Sequence, residues 1–264
     1  DADTVPYIGD TPHSMMWIGT MLTSVPAAQL MRRLGRRNGF LIGALLGVAG
    51  ALIGAYGLFQ GSFWTFCAAT FVLGGFNSVG MFYRFAAAEA AEAGFRAKAI
   101  SLVIGGGVLA AIVGPELAVW SKDMFAPIEF AGTYVVVIAL PVLLMLTLAF
   151  IQFPEASAAQ RGPTGRPILE IVRQPAVRVA LLGGMISWGG MVLVMTATPL
   201  SVVACGHSFA DSAFVIQWHV VGMFAPSFFT GGLIKRLGTK NVIYVGLALF
   251  TAAVQRAQSP GCSA

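Results

Sequence analysis

Leu30-Met31-Arg32-Arg33-Leu34-Gly35-Arg36-Arg37-Asn38 leads directly into Gly39–Gln60, a long run without a single charge. About twenty apolar residues in a helix span the roughly 30 Å of hydrocarbon in a bilayer. The stretch therefore predicts a helix that enters a membrane from a basic turn. A strand is excluded by length, since strands run about 3–10 residues.

Working outward, the same pattern recurs. Met15–Met31 precedes the turn; Phe63–Ala86, Ala97–Trp120, Phe130–Phe153, Val177–Ala204 and Ser212–Ile234 follow it. An eighth run opens at Val242, loses its apolar character after Val254 and is too short to cross comfortably. Glycine and proline inside the runs (Gly105–Gly107, Gly114–Pro115, Pro141, Gly183–Gly184, Gly189–Gly190, Pro226) are tolerated in transmembrane helices, where neighbouring helices satisfy freed backbone groups. With 57% hydrophobic and 10% charged residues, the 264-residue chain lacks the charge needed to cover a soluble surface. The expectation is an all-α polytopic membrane protein.

Charge placement supports the helix count. Short loops force consecutive helices to be antiparallel, and the basic residues occupy alternate loops: Arg32, Arg33, Arg36 and Arg37; Arg84, Arg96 and Lys98; Arg161, Arg166, Arg173 and Arg178; Lys235, Arg236 and Lys240. The opposite loops hold Lys122 among Asp1, Asp3, Asp10, Asp123, Glu129 and Asp211. The positive-inside rule assigns the basic set to the cytoplasm. The net charge of +5 is thus topological and implies no nucleic-acid partner. The expected partners are the lipid bilayer, a small-molecule substrate and protons, and the expected location is a plasma membrane, the inner membrane of a bacterium.

Cys67, Cys205 and Cys262 stand far apart, with spacings that support neither a disulfide framework nor a zinc site. A phosphate-binding glycine loop ending in Lys-Ser/Thr, H-E-x-x-H and G-x-S-x-G are all missing from the sequence, so neither ATP-driven transport nor protease or esterase chemistry is expected. No cofactor and no metal are expected. The Pro-, Gly- and Arg-rich stretch 154–175 reads as a cytoplasmic linker between bundles at 1–153 and 176–264.

The opening stretch has a partner: Leu233-Ile234-Lys235-Arg236-Leu237-Gly238-Thr239-Lys240-Asn241, with Gly43 and Gly246 following at the same offset. Paired halves of this kind are a known route to alternating access, with the substrate site between them. Here the sequence resembles the major facilitator superfamily, whose loop signature after its second helix is G-x-L-x-D-R-x-G-R-R/K. Ala28 stands for the leading glycine in the first copy, Gly231 keeps it in the second, and Arg32 and Lys235 replace the aspartate. The resemblance implies a conformational-switch loop at Arg32, Arg33, Gly35, Arg36 and Arg37, repeated at Lys235, Arg236, Gly238 and Lys240. It also implies that the chain carries helices two to eight and part of the ninth of a twelve-helix member.

Candidate transport residues are the polar groups inside the runs, because they are expensive in lipid. Asn77 and Arg84, seven apart, are expected on one helix face. Arg84 either attracts an anion or snorkels to the headgroups. Gln217, Trp218 and His219 form the densest polar-aromatic cluster, and His219 suits either proton coupling or a plain interhelical bond. Trp188 with Met191 and Met195 makes either a wall for a flat substrate or core. Gly106, Ala110 and Gly114, followed by Pro115, recur every four residues and predict close helix packing. The functional expectation is a secondary active, proton-coupled permease or efflux protein. A truncated fragment or partner subunit, and an integral membrane enzyme, are the alternatives.

Overall fold

The computed structural model describes residues 11–92, 94–151 and 168–257, and every element among them is helical. The helices are α1 (Thr11–Leu34), α2 (Arg36–Phe59), α3 (Phe63–Gly80), α4 (Tyr83–Ala90), α5 (Arg96–Ser121) and α6 (Ala131–Phe150). They continue with α7 (Ile168–Arg173), α8 (Pro175–Ala204), α9 (Phe209–Phe224), α10 (Ser227–Leu237) and α11 (Thr239–Ala257). Most of the linker expected at 154–175 lies outside the described residues; α7 forms part of its end.

Among the described residues, six helical segments are long and apolar enough to cross a membrane: Arg36–Phe59, Phe63–Ala90, Lys98–Ser121, Ala131–Phe150, Pro175–Ala204 and Phe209–Thr230. The run Met15–Met31, expected as a seventh, forms the 24-residue α1, whose length suffices but whose hydropathy falls short. Its polar residues are the cause, and most of their hydroxyls are already satisfied within the helix. Thr20 Oγ1 donates to the Met16 carbonyl at 2.9 Å, Thr23 Oγ1 to Gly19 at 2.6 Å and Ser24 Oγ to Thr20 at 2.6 Å. A hydroxyl bonded to the preceding turn presents little unmet polarity to its surroundings. The apolar part of α11, Thr239–Ala253, is a short helix, as the fading eighth run suggested.

Two expected single helices are each broken in two. Phe63–Ala86 divides at Met81-Phe82, where the bonding tightens: the Met81 N–H reaches Asn77 O at 3.2 Å, and the Phe82 N–H reaches only Val79 O at 3.0 Å. Ser212–Ile234 divides at Ala225-Pro226, because proline has no N–H to donate and its ring clashes with the preceding turn.

The chain forms two compact units. In the first (residues 1–96 and 116–183), α1 packs on α3, and α2 lies against α3, α6 and α1. The buried face of α2 is a line of glycines, Gly39, Gly43, Gly47, Gly50, Gly54 and Gly57. Spacings of three and four keep them on one face and let neighbours come close. The neighbours are larger: Val79, Phe76 with Pro141, Leu73 and Tyr134 fill the places where side chains at Gly43, Gly47, Gly50 and Gly54 would stand. Ala27, Met31, Phe40, Val79, Ala86 and Leu148 make the core at one end of this unit. Between α1 and α3 the backbones themselves meet. A side chain at Gly74 would collide with Met16 O and with the Thr20 amide nitrogen, 2.8 Å away.

In the second unit (residues 97–115 and 184–264), Phe228 and Phe224 seat their rings against Gly105 and Gly107 of α5, and the Phe250 ring of α11 lies 3.3 Å from where a Cβ would stand at Gly190 of α8. Large apolar side chains stay exposed in both units, among them Phe150, Trp64, Ile186 and Leu193. For a soluble protein such a surface would drive aggregation; in lipid it is the solvated face. Cys67 is a free buried thiol, whereas Cys205 is disulfide-bonded, which its spacing gave no reason to expect.

Candidate transport residues and switch loops

The basic turn is built from the end of α1 upward. Arg32 and Arg33 occupy its last turn, the end where cations complement the helix dipole. Gly35 then reverses the chain with φ 85° and ψ 163°, a conformation essentially reserved for glycine. The Gly39 N–H donates to Gly35 O at 3.1 Å, and Asn38 Nδ2 bonds back to Leu34 O at 3.0 Å. That side-chain bond occupies a carbonyl left unpaired at the end of α1.

Arg36 faces α4. Its Nε donates to Glu89 Oε2 at 2.9 Å and its Nη2 to Glu89 Oε1, a two-pronged ion pair. Arg36 Nη1 also lies 3.6 Å from Met31 Sδ. Arg37 reaches the end of α6, where Nη2 donates to Ala149 O at 3.3 Å. Arg32 and Arg33 are exposed, and neither makes an ion pair with a described carboxylate.

The second copy has the same backbone. Gly238 takes φ 79° and ψ 152°, and Asn241 Nδ2 bonds Leu237 O at 2.9 Å. Val242 N–H donates to Gly238 O at 3.3 Å. Lys240 lies over the Tyr244 ring, 5.7 Å from its centroid, and Arg236 is exposed. The side chain of Lys235 is outside the described residues.

The other candidates are scattered. Asn77 Nδ2 donates to Thr20 Oγ1 at 3.3 Å, and that hydroxyl also lies 3.0 Å from Gly74 O, so Asn77 is engaged in joining α3 to α1. Arg84 sits on α4, exposed, over the ring of Phe85 at 4.9 Å. The break at Met81-Phe82 interrupts the seven-residue register on which a shared face for Asn77 and Arg84 depended. Trp188 is exposed on α8, with Met191 and Met195 half-buried. Gln217 Nε2 approaches Ile112 O on α5 at 3.4 Å. His219 is half-buried, and its Nε2 is fully covered and has no hydrogen-bond partner.

The packing prediction on α5 is displaced by one residue. Gly106 and Gly114 face open space and Ala110 is exposed, while Gly105, Gly107 and Ala111 are the positions turned inward and Pro115 is half-buried. Small residues do recur along this stretch, but Gly105–Gly107 offers more than one phase for the packed face. The Phe224 and Phe228 rings select a different one.

Sequence reasoning passed over Glu89 and Thr20. Glu89 had a legible signal, as one of two acids in a loop otherwise basic. Thr20 had none, because its partner stands 54 residues away. Two further covered hydroxyls without partners, Ser78 Oγ and Tyr83 Oη, were also unforeseen; Tyr83 stacks on Phe40 at 4.2 Å.

Comparison with known proteins gives the same architecture a family. The chain is 42% identical over 254 residues to the riboflavin transporter RfnT of Brucella anthropi, covering 92% of this chain and 62% of that protein. It is 25% identical to the uncharacterised MFS-type transporters YdeG and YddS of Bacillus subtilis, covering 95% and 93% of this chain and 62% and 59% of theirs. The chain therefore spans about three fifths of the length of the curated relatives it matches. No solved structure matches it. The family model of the Major Facilitator Superfamily covers residues 11–255, and the chain belongs to that superfamily.

Proposed function

We propose that this chain is the larger part of a secondary transporter that moves riboflavin, or a similarly flat heteroaromatic solute, across a bacterial inner membrane by alternating access. The observation that carries this reading is the 42% identity to a riboflavin transporter across nearly the whole chain. In this reading bundles at 1–153 and 176–264, joined by the segment 154–175, rock against each other, and the repeated basic turns act as the switch loops.

Proton coupling is assigned to His219. A covered imidazole nitrogen without a partner is costly in a membrane span, and such groups are there for what they bind. Imidazole exists both as a neutral ring that accepts a hydrogen bond and as a protonated ring that only donates, the exchange that proton coupling needs. Trp188 supplies an aromatic surface of the kind that flat ligands use, and Gln217 an amide for a ring carbonyl or imide.

The test is uptake of labelled riboflavin by a riboflavin-auxotrophic bacterium expressing the full-length protein. Uptake above the empty vector is expected, falling when the proton gradient is collapsed. The His219→Ala variant is expected to lose on the order of a hundredfold or more in rate at unchanged membrane abundance, the scale of one removed proton-transfer group. Wild-type uptake no better than vector removes riboflavin as the substrate. Uptake indifferent to both the gradient and His219 removes the coupling assignment.

A further inference from the structure

The α1–α2 turn carries more charge than the protein itself neutralises. Four guanidinium groups, Arg32, Arg33, Arg36 and Arg37, lie within six residues, and Glu89 answers only Arg36. Arg37 spends one N–H on the Ala149 carbonyl, a neutral acceptor, and Arg32 and Arg33 point into open surroundings. Three positive charges are left on one tight turn. In the superfamily signature the place of Arg32 is held by an aspartate, so this chain differs there by two charges toward the positive.

Helix electrostatics accounts for part of the cluster only. Arg32 and Arg33 complement the negative end of α1, but Arg37 stands in the first turn of α2, where a cation opposes the dipole and no acidic residue offsets it. The turn is also stiff. Gly35 fixes the reversal, Asn38 ties it to Leu34, and Arg36 and Arg37 are anchored on α4 and α6. A stiff turn at the end of membrane-crossing helices presents its free guanidinium groups at headgroup depth.

We infer that this turn is a binding site for an anionic phospholipid, whose phosphates are received by Arg32 and Arg33 with Arg37 beside them. Guanidinium suits the task because its planar fork matches phosphate oxygens two at a time. Juxtamembrane clusters of this size attract anionic headgroups, each basic residue contributing about fivefold in affinity. The site is independent of the transported solute.

Native mass spectrometry of the full-length protein in detergent, offered cardiolipin and phosphatidylethanolamine at equal concentration, reads this directly. The wild type is expected to retain cardiolipin adducts in preference. Removing both exposed charges, Arg32→Gln with Arg33→Gln, is expected to weaken cardiolipin retention on the order of twentyfold. The control Arg173→Gln with Arg178→Gln removes the same charge from an exposed stretch elsewhere and is expected to stay within about twofold of wild type. Arg32→Lys with Arg33→Lys, which keeps the charge, is expected to recover most of the binding and separates loss of the site from loss of the fold. Equal weakening in the Gln pair and the control overturns the inference, because adducts then follow total charge. So does an unchanged Gln pair, or a wild type that takes the two lipids equally.

Discussion

The turns at Gly35 and Gly238 have the same backbone in different surroundings. Both glycines sit near φ 80° with extended ψ, and both asparagines three residues on bond back to the leucine before the glycine. Beyond the turn the likeness stops. Gly43 is pressed against Val79, with a Cβ-to-Cβ spacing of only 2.7 Å if a side chain were added, whereas Gly246 at the same offset has nothing within 4 Å. Arg36 holds Glu89, and its counterpart Thr239 has no charge to offer. A repeated turn is conserved in shape by its own residues, while the use made of it depends on which helices arrive alongside.

The largest expected effect tests that difference. Gly43→Leu drives a branched side chain into Val79 and is expected to cost about 3 kcal/mol or more, while Gly246→Leu meets open space and is expected to gain up to about 1 kcal/mol in helix propensity. Thermal unfolding midpoints in detergent report both, and equal losses would break the contrast. Next come the turns themselves. Gly35→Ala and Gly238→Ala are each expected to cost about 1–3 kcal/mol, because a Cβ is strained at that φ and ψ. Similar midpoint shifts for the two would sharpen the claim that this geometry is local. Smallest are Asn38→Ala and Asn241→Ala, each expected to cost about 1 kcal/mol or less for one exposed capping bond. A loss confined to one of them would mean that its surroundings, and not the turn, set its worth.

The same divide explains what the sequence made legible. Features decided within a few residues were readable: the apolar lengths, the basic turns, and the glycine that closes each one. The break at Ala225-Pro226 had proline as its signal. The break at Met81-Phe82 had none; Tyr83, just beyond it, stacks on Phe40, forty-three residues earlier. Phase on α5 was undecidable from Gly105–Gly107 alone, because three adjacent glycines look alike until Phe224 and Phe228 choose between them. The bond of Asn77 to Thr20 was unreadable for the same reason: it joins helices whose sequences do not announce each other. His219 was readable as a residue, but only the structure reveals its uncovered need for a partner at Nε2.

The seam between α1 and α3 has a consequence for how the protein is made. α1 falls short of the apolarity of the six spans, and the carbonyl that the Thr20 hydroxyl shares with Met16 O belongs to Gly74, 54 residues downstream. At synthesis rates of about 5–20 residues per second, α1 waits roughly 3–11 seconds before that partner leaves the ribosome. During that interval Thr20 keeps its bond to the Met16 carbonyl within α1, and what waits is the seam itself, the close backbone approach at Gly74 that holds α1 against α3. The order in which the helices emerge is thus part of what the Thr20–Gly74 contact requires.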